Sequence, residues 1–314
     1  MSISRSKDID SLARGRFNRS PRQFALSTSP RTLSSRQDFL ICLSLVLIGS
    51  SVARAQDKKM ELAELISRHQ EAVGTTAARG AIKGRFAAGT VKYVSRMGSS
   101  PNVEGTIGLV SLNPKLRYSI KFPSQQYPGE QLAFDGKHLD VGVLPGGRRT
   151  ALGLVALQQD LPLKEGLLGG VLNTGWPLLK DPLAARLDYK GTKKIDGRLV
   201  HVVGYRSQKG SSDLKVILYF DADTFRHVRS EYEFLIGARM GVGPNDSTKI
   251  PESRYSVSED FDDFKTVDGL TLPHKCKLQL SVQASMTSIL TDWTLTFTQI
   301  VHNQPIEDNV FTLR

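Results

Sequence analysis

From about residue 80 onward apolar and polar side chains alternate with period two, and this alternation constrains the fold more than any other feature of the chain. Ile82, Gly84, Phe86 and Ala88 alternate with Lys83 and Arg85, and Tyr118, Ile120 and Phe122 with Ser119 and Lys121. Cys276, Leu278, Leu280 and Val282 oppose Lys275, Lys277, Gln279 and Ser281, and Trp293, Leu295 and Phe297 oppose Thr294, Thr296 and Thr298. Such strands bury one face and wet the other, which is the signature of antiparallel sheet. Asp135-Gly136, Asp196-Gly197 and Asp268-Gly269 each fall between two such runs, and Asp-Gly tolerates the positive φ of a type I′ hairpin turn. The pattern predicts strands near 82–97, 103–112, 116–122, 130–135, 138–143, 186–194, 199–206, 214–220, 226–235, 254–266 and 270–298, the last divided into two. A sheet that large must curl or close.

Two segments depart from this period. Met60, Leu62, Leu65, Ile66, His69 and Val73 recur at helical spacing before Gly74, which predicts one short amphipathic helix with His69 packed on its apolar side. Between Leu152 and Leu179 the chain is very apolar yet broken by Pro162, Gly166, Gly169, Gly170, Gly175 and Pro177, so short helices plugging the concave side of the sheet are expected rather than a membrane span. The fold class is therefore α+β, a large curled antiparallel sheet with helices over its concave face. Gly237 to Pro251 reads as an exposed loop carrying a formal glycosylation sequon at Asn245.

Charge bears on function through its position. Residues 1–55 hold nine basic and three acidic side chains, so +6 of the formal +11 lies there and +5 is spread over the remaining 259 residues. The basic stretch precedes an apolar run from Phe39 to Leu47 and then Ala53-Arg54-Ala55, the pattern of an export leader cleaved before Gln56; an uncleaved anchor is the alternative. The expected organisation is a leader over 1–55 and one domain over 56–314, located in the periplasm. Loss of Cys42 with the leader leaves Cys276 alone, so the domain is stabilised by its core without a disulfide.

No nucleophile elbow, zinc motif, phosphate loop or CxxC pair occurs, so no catalytic residue, metal site or cofactor is expected. The histidines are scattered over separate strands, and Cys276 shares an apolar face with Leu278 and Leu280. The acidic run Glu259, Asp260, Asp262 and Asp263 sends neighbours to opposite faces of a strand and builds no calcium cage. An ordinary surface charge without an aromatic-basic motif excludes a nucleic-acid partner.

Tyr189 to Arg198, containing Ile195-Asp196-Gly197-Arg198, is followed by Leu218 to Phe225, and then by Phe264 to Pro273 and Asn303 to Phe311. These turn motifs resemble those of bacterial outer-membrane lipoprotein-sorting carriers of the LolA/LolB type, over roughly residues 185–311. The resemblance implies a half-open β-barrel whose apolar concave face holds acyl chains of lipids or lipoproteins. It further implies inner- or outer-membrane transport proteins as partners, transient membrane contact and a monomer. Burial of one methylene gains about 0.8 kcal/mol, so a long acyl chain would contribute roughly 10 kcal/mol before ordering costs. The residues expected to line the site are Leu167, Leu168, Val171, Leu172 and Trp176 from the covering segment, and Tyr118, Ile120, Phe122, Trp293, Leu295 and Phe297 from the strands. The segment Leu161 to Leu179 is expected either to gate this site, its glycines serving as hinges, or to be a fixed plug. The competing function is a non-catalytic structural or interaction domain of the cell envelope with a filled core.

Overall fold

The computed structural model describes residues 60–96, 103–183, 186–207, 213–237, 239–240, 249–250, 252–284 and 287–313. The expected leader and the sequon at Asn245 lie outside the described residues. The strands are β1 (Gly84–Ser95), β2 (Val103–Leu112), β3 (Lys115–Lys121), β4 (Gly129–Phe134), β5 (Leu139–Val141), β6 (Arg186–Ile195), β7 (Arg198–Arg206), β8 (Lys215–Asp221), β9 (His227–Ile236), β10 (Arg239–Met240), β11 (Lys249–Ile250), β12 (Ser253–Val267), β13 (Leu270–Ala284) and β14 (Thr287–His302). Twelve of them form one antiparallel sheet in the order β5-β4-β3-β2-β1-β14-β13-β12-β9-β8-β7-β6, open at both ends, and β10 and β11 pair separately.

The sheet curls. Leu132 on β4 and Tyr232 on β9 line the same small cleft, although seven strand spacings separate them in the sheet, about 34 Å if it were flat. The concave face so formed is covered by α1 (Leu62–Val73), α2 (Thr76–Ala81), α3 (Ala151–Gln158), α4 (Leu161–Lys164), a 3₁₀ turn at Gly170–Leu172 and α5 (Pro177–Lys180). α1 turns Leu65, Ile66, His69 and Val73 inward and ends at Gly74, as its periodicity predicts. Inward-facing strand residues and this cover form a single apolar core. The C-terminal tail crosses the outer face of β3 and β4, where the Arg117 guanidinium donates to the Thr312 carbonyl (2.9 Å), Lys115 pairs with Asp308 (2.7 Å) and Phe311 is fully buried.

Four expectations are corrected. In β1 the inward residues are Arg85, Ala87 and Val91, while Phe86 pairs with Val110 on the outer face. Buried hydrogen bonds from the Arg85 guanidinium to His302 and to the Val171 carbonyl hold this charge where its polarity alone would not place it. α2 is a second helix at the N-terminal end, started by Thr75, whose hydroxyl accepts from the Ala78 N–H (3.1 Å). Asp196-Gly197 and Asp268-Gly269 both have positive φ at each residue, as a type I′ turn requires, but at Asp135-Gly136 only the glycine does. There the Asp135 carboxylate accepts from the backbone N–H groups of Lys137 and His138 (2.7 Å each), which makes a four-residue loop. Finally, β10 and β11 form a short ribbon inside the span read as a loop.

Candidate functional site

All eleven residues expected to line the site are buried in one apolar core, none more than 8% exposed. Tyr118, Ile120, Leu295 and Phe297 point inward from β3 and β14, while Lys121 and Thr296 are exposed. Phe122 and Trp293 join Tyr93 and Tyr127 in an aromatic group, in which the Trp293 indole N–H donates to the Tyr127 hydroxyl (2.8 Å). Leu167, Leu168, Val171, Leu172 and Trp176 fill the space between the two arms of the sheet. Over its middle the concave face is therefore filled. Two openings reach them: an apolar cleft of about 40 Å³ under α3 and α4, room for about one water, which Leu168 lines, and a larger cavity at the α2 and α5 end of the cover, which Val171 lines.

Buried and half-buried polar groups from five elements hold Leu167 to Leu178 in place. The Gly169 N–H donates to Glu259 on β12 (2.9 Å), the Thr174 N–H to Ser111 on β2 (2.9 Å) and the Gln70 amide of α1 to the Leu178 carbonyl (2.8 Å). Arg85 on β1 donates to the Val171 carbonyl, and Tyr232 on β9 lies 3.2 Å from that of Leu167. The Trp176 indole donates to His69 Nε2 (3.1 Å) and stacks on His227 at 4.5 Å. Because the Phe225 carbonyl can only accept, His69 carries its proton on Nδ1 (3.1 Å) and presents a bare Nε2 to the indole. Burial, opposed by that backbone bond, lowers the His69 pKa to about 4. Glycine is required here by the closed geometry: Gly170 has φ +52°, and a β-carbon on it would lie 2.8 Å from His227 Nδ1.

The preceding part of the cover is held differently. The Thr150 hydroxyl caps α3 by accepting from the Gly153 N–H (2.9 Å) and donates to Glu130 of β4, which also accepts from Tyr127 (2.6 Å). Burial raises the Glu130 pKa to about 7 against the effect of those two donors. Glu259, fully buried, is likewise raised to about 7 by burial, against the Gly169 and Tyr232 bonds. α3 buries Leu152, Val155 and Ala156 yet leaves Leu154 49% and Leu157 42% exposed, so it is apolar on both faces. A surface helix ordinarily turns a polar face to water.

Sequence periodicity did not select Arg85, Glu130 or Glu259, although each stands in phase with inward neighbours: Ala87 and Val91, Leu132 and Phe134, Val257 and Phe261. For Glu130 and Glu259 phase, not charge, is the local signal that identifies them. Among the described residues there is no cluster of three or more His, Cys, Asp or Glu side chains able to hold a metal ion, and no helix long and apolar enough to cross a membrane. Cys276 is buried and unpaired.

No protein-family model matches the chain, and no curated protein matches it. Among solved structures it is similar to a LolA superfamily protein from Nitrosomonas europaea, at 11% identity over 81% of this chain and 98% of that one, with a TM-score of 0.41. It is also similar to a putative outer membrane lipoprotein-sorting protein domain from Vibrio parahaemolyticus, at 14% identity over 78% of this chain and 95% of that one, with a TM-score of 0.42. A lipoprotein, LppX, from Mycobacterium tuberculosis matches at 12% identity over 55% and 88% of the two chains, with a TM-score of 0.23. The solved structures that this chain resembles thus include LolA superfamily and lipoprotein-sorting proteins, at low identity.

Proposed function

We propose that this chain is a non-catalytic carrier or binding protein for acyl chains of lipids or lipoproteins in the cell envelope, described here in its closed form. The observation that carries the reading is α3, a helix apolar on both faces lying over an apolar cleft at the edge of the cover. A helix of that kind suits two positions, one closing the core and one flanked by hydrocarbon. Displacing it joins the cleft to the space now filled by Leu163 and Leu168, where acyl methylenes replace leucine side chains. The opening is assigned to α3 and α4 rather than to the whole of Leu161 to Leu179, because the part beyond Leu167 is pinned by buried hydrogen bonds. Residues 1–55 then serve as an export leader that leaves a periplasmic domain beginning at Gln56, which N-terminal sequencing of the exported protein tests.

Titration with palmitate or a lipopeptide tests the carrier. In a Trp293→Phe background Trp176 is the single remaining tryptophan. Loading should shift its emission and raise hydrogen exchange across Ala151 to Leu163. The pinned section from Leu167 to Leu178 supports the second reading, an interaction domain with a filled core. Unchanged emission and unchanged exchange in α3 would establish that reading instead.

A further inference from the structure

A cavity of about 560 Å³ opens at the end of the cover formed by α2 and α5, and it shares no lining residue with the apolar cleft. Its charged lining consists of Arg79, Lys83, Arg85 and Lys180, with no carboxylate. None of the four makes an ion pair among the described residues. Two of them are held in place without a counter-charge. The Arg79 Nη1 is fully buried and has no acceptor. Arg85, 3% exposed, forms part of the cavity wall; its Nε donates to His302 (3.0 Å) and its Nη1 to the Val171 carbonyl. Three of its five N–H donors are left without a protein acceptor among the described residues. The nearest linked carboxylate is Asp268, reached only through His302, whose Nδ1 donates to it at 2.7 Å.

A buried guanidinium ordinarily has a carboxylate beside it, because an unpaired buried charge costs several kcal/mol. Here the chain supplies two hydrogen-bond acceptors and leaves the remaining donors turned to a cavity with three further cations around it. The missing partner is an anion. Four positive charges exceed what one carboxylate neutralises, whereas a phosphate monoester brings about −1.5 to −2 charges and three acceptor oxygens. The Arg fork matches such oxygens in pairs. Apolar walls from Ile82, Leu112, Leu179 and Leu270 stand beside the cations, so there is room for a hydrocarbon substituent next to the charged group.

We propose that this cavity is a binding site for a phosphate-bearing anion, with Arg85 as its buried anchor and Arg79, Lys83 and Lys180 around it. The site does not depend on acyl loading under α3.

The full chain is titrated calorimetrically at low ionic strength with inorganic phosphate in one arm and with monomeric dihexanoyl phosphatidic acid in the other. Dihexanoylglycerol, the same hydrocarbon without phosphate, is the control. Binding in both arms supports a site for phosphate itself, and binding of phosphatidic acid alone supports a site for a lipid headgroup. The Lys83→Gln/Lys180→Gln variant changes two exposed side chains, so its thermal midpoint should match that of the parent chain. It should bind about tenfold more weakly, with a shallower dependence on salt. Arg85→Gln should abolish binding. The proposal is overturned if neither phosphate compound binds, if the double variant binds as tightly as the parent, or if dihexanoylglycerol binds as tightly as phosphatidic acid. Loading of palmitate under α3 is read separately, so failure of one site leaves the other measurable.

Discussion

Glu259→Gln should stabilise the protein above neutral pH and leave it nearly unchanged in mild acid. The Glu259 carboxyl accepts from the Gly169 N–H at 2.9 Å and lies 3.1 Å from the Tyr232 hydroxyl, which is itself 3.2 Å from the Leu167 carbonyl. Tyr232 has one proton to give and the Leu167 carbonyl can only accept. That proton goes to Glu259 while the carboxyl is ionised and is released to the Leu167 carbonyl once Glu259 is protonated and donates to Tyr232 in turn. Burial raises the Glu259 pKa from 4.5 to about 7 against the Gly169 and Tyr232 bonds. As pH rises through that interval the unfolded chain gives up this proton and the native chain keeps it, so native stability falls with rising pH. At ~1.4 kcal/mol per decade the loss is about 3 kcal/mol once both forms are ionised. Glutamine retains an acceptor for Gly169 and offers an N–H to Tyr232 without a charge. Urea unfolding at about pH 5 and about pH 8.5 should show the parent losing about 3 kcal/mol more than the variant. Glu130 contributes equally to both chains and cancels. Parallel losses in the two proteins, or a variant less stable by the same amount at both pH values, would refute a protonated Glu259.

In acid the sign reverses. The His69 pKa is lowered to about 4 and that of His227 well below its ordinary value, in both cases first by burial, so their contribution is lost as pH falls below 6.5; His69→Gln should flatten this acid arm in urea titrations. Phe297→Asp should destabilise by several kcal/mol, since Phe297 is 2% exposed, whereas Thr296→Asp on the opposite face should change the unfolding midpoint little. Thr150→Ala should remove the α3 cap at a cost of about 1 kcal/mol and raise amide exchange in α3 while leaving that of α1 unchanged.

Each strand of the large sheet was legible because alternation and turn chemistry act locally: β6 and β7 follow from residues 186–206 and the Asp196-Gly197 turn alone. The covering helices between 152 and 179 were legible from composition, since so many leucines there belong on no solvated surface, whereas α2 was not. The buried charges were not. A period-two reading sends polar side chains to water, and it placed Arg85 outside with Lys83, whereas the structure buries it against His302. What keeps Arg85 inside is a contact 217 residues away in the chain, which no local pattern contains. The role of the glycines was similarly open. Gly166, Gly169 and Gly170 suggested hinges, but all three occupy positive φ in the closed cover, and at Gly166 a β-carbon would lie 2.3 Å from the Gly175 carbonyl.

The sheet ends at β5 on one side and β6 on the other and never joins them. A closed barrel has a girth set by strand number and stagger, and its interior changes only if a hydrogen-bonded ladder breaks. Twelve strands in an open row have eleven junctions, each with its own twist. A change of two degrees at each swings the outermost strands by roughly 20° and breaks nothing. Under the proposed carrier function, the arms of the sheet adjust the interior volume without loss of a ladder.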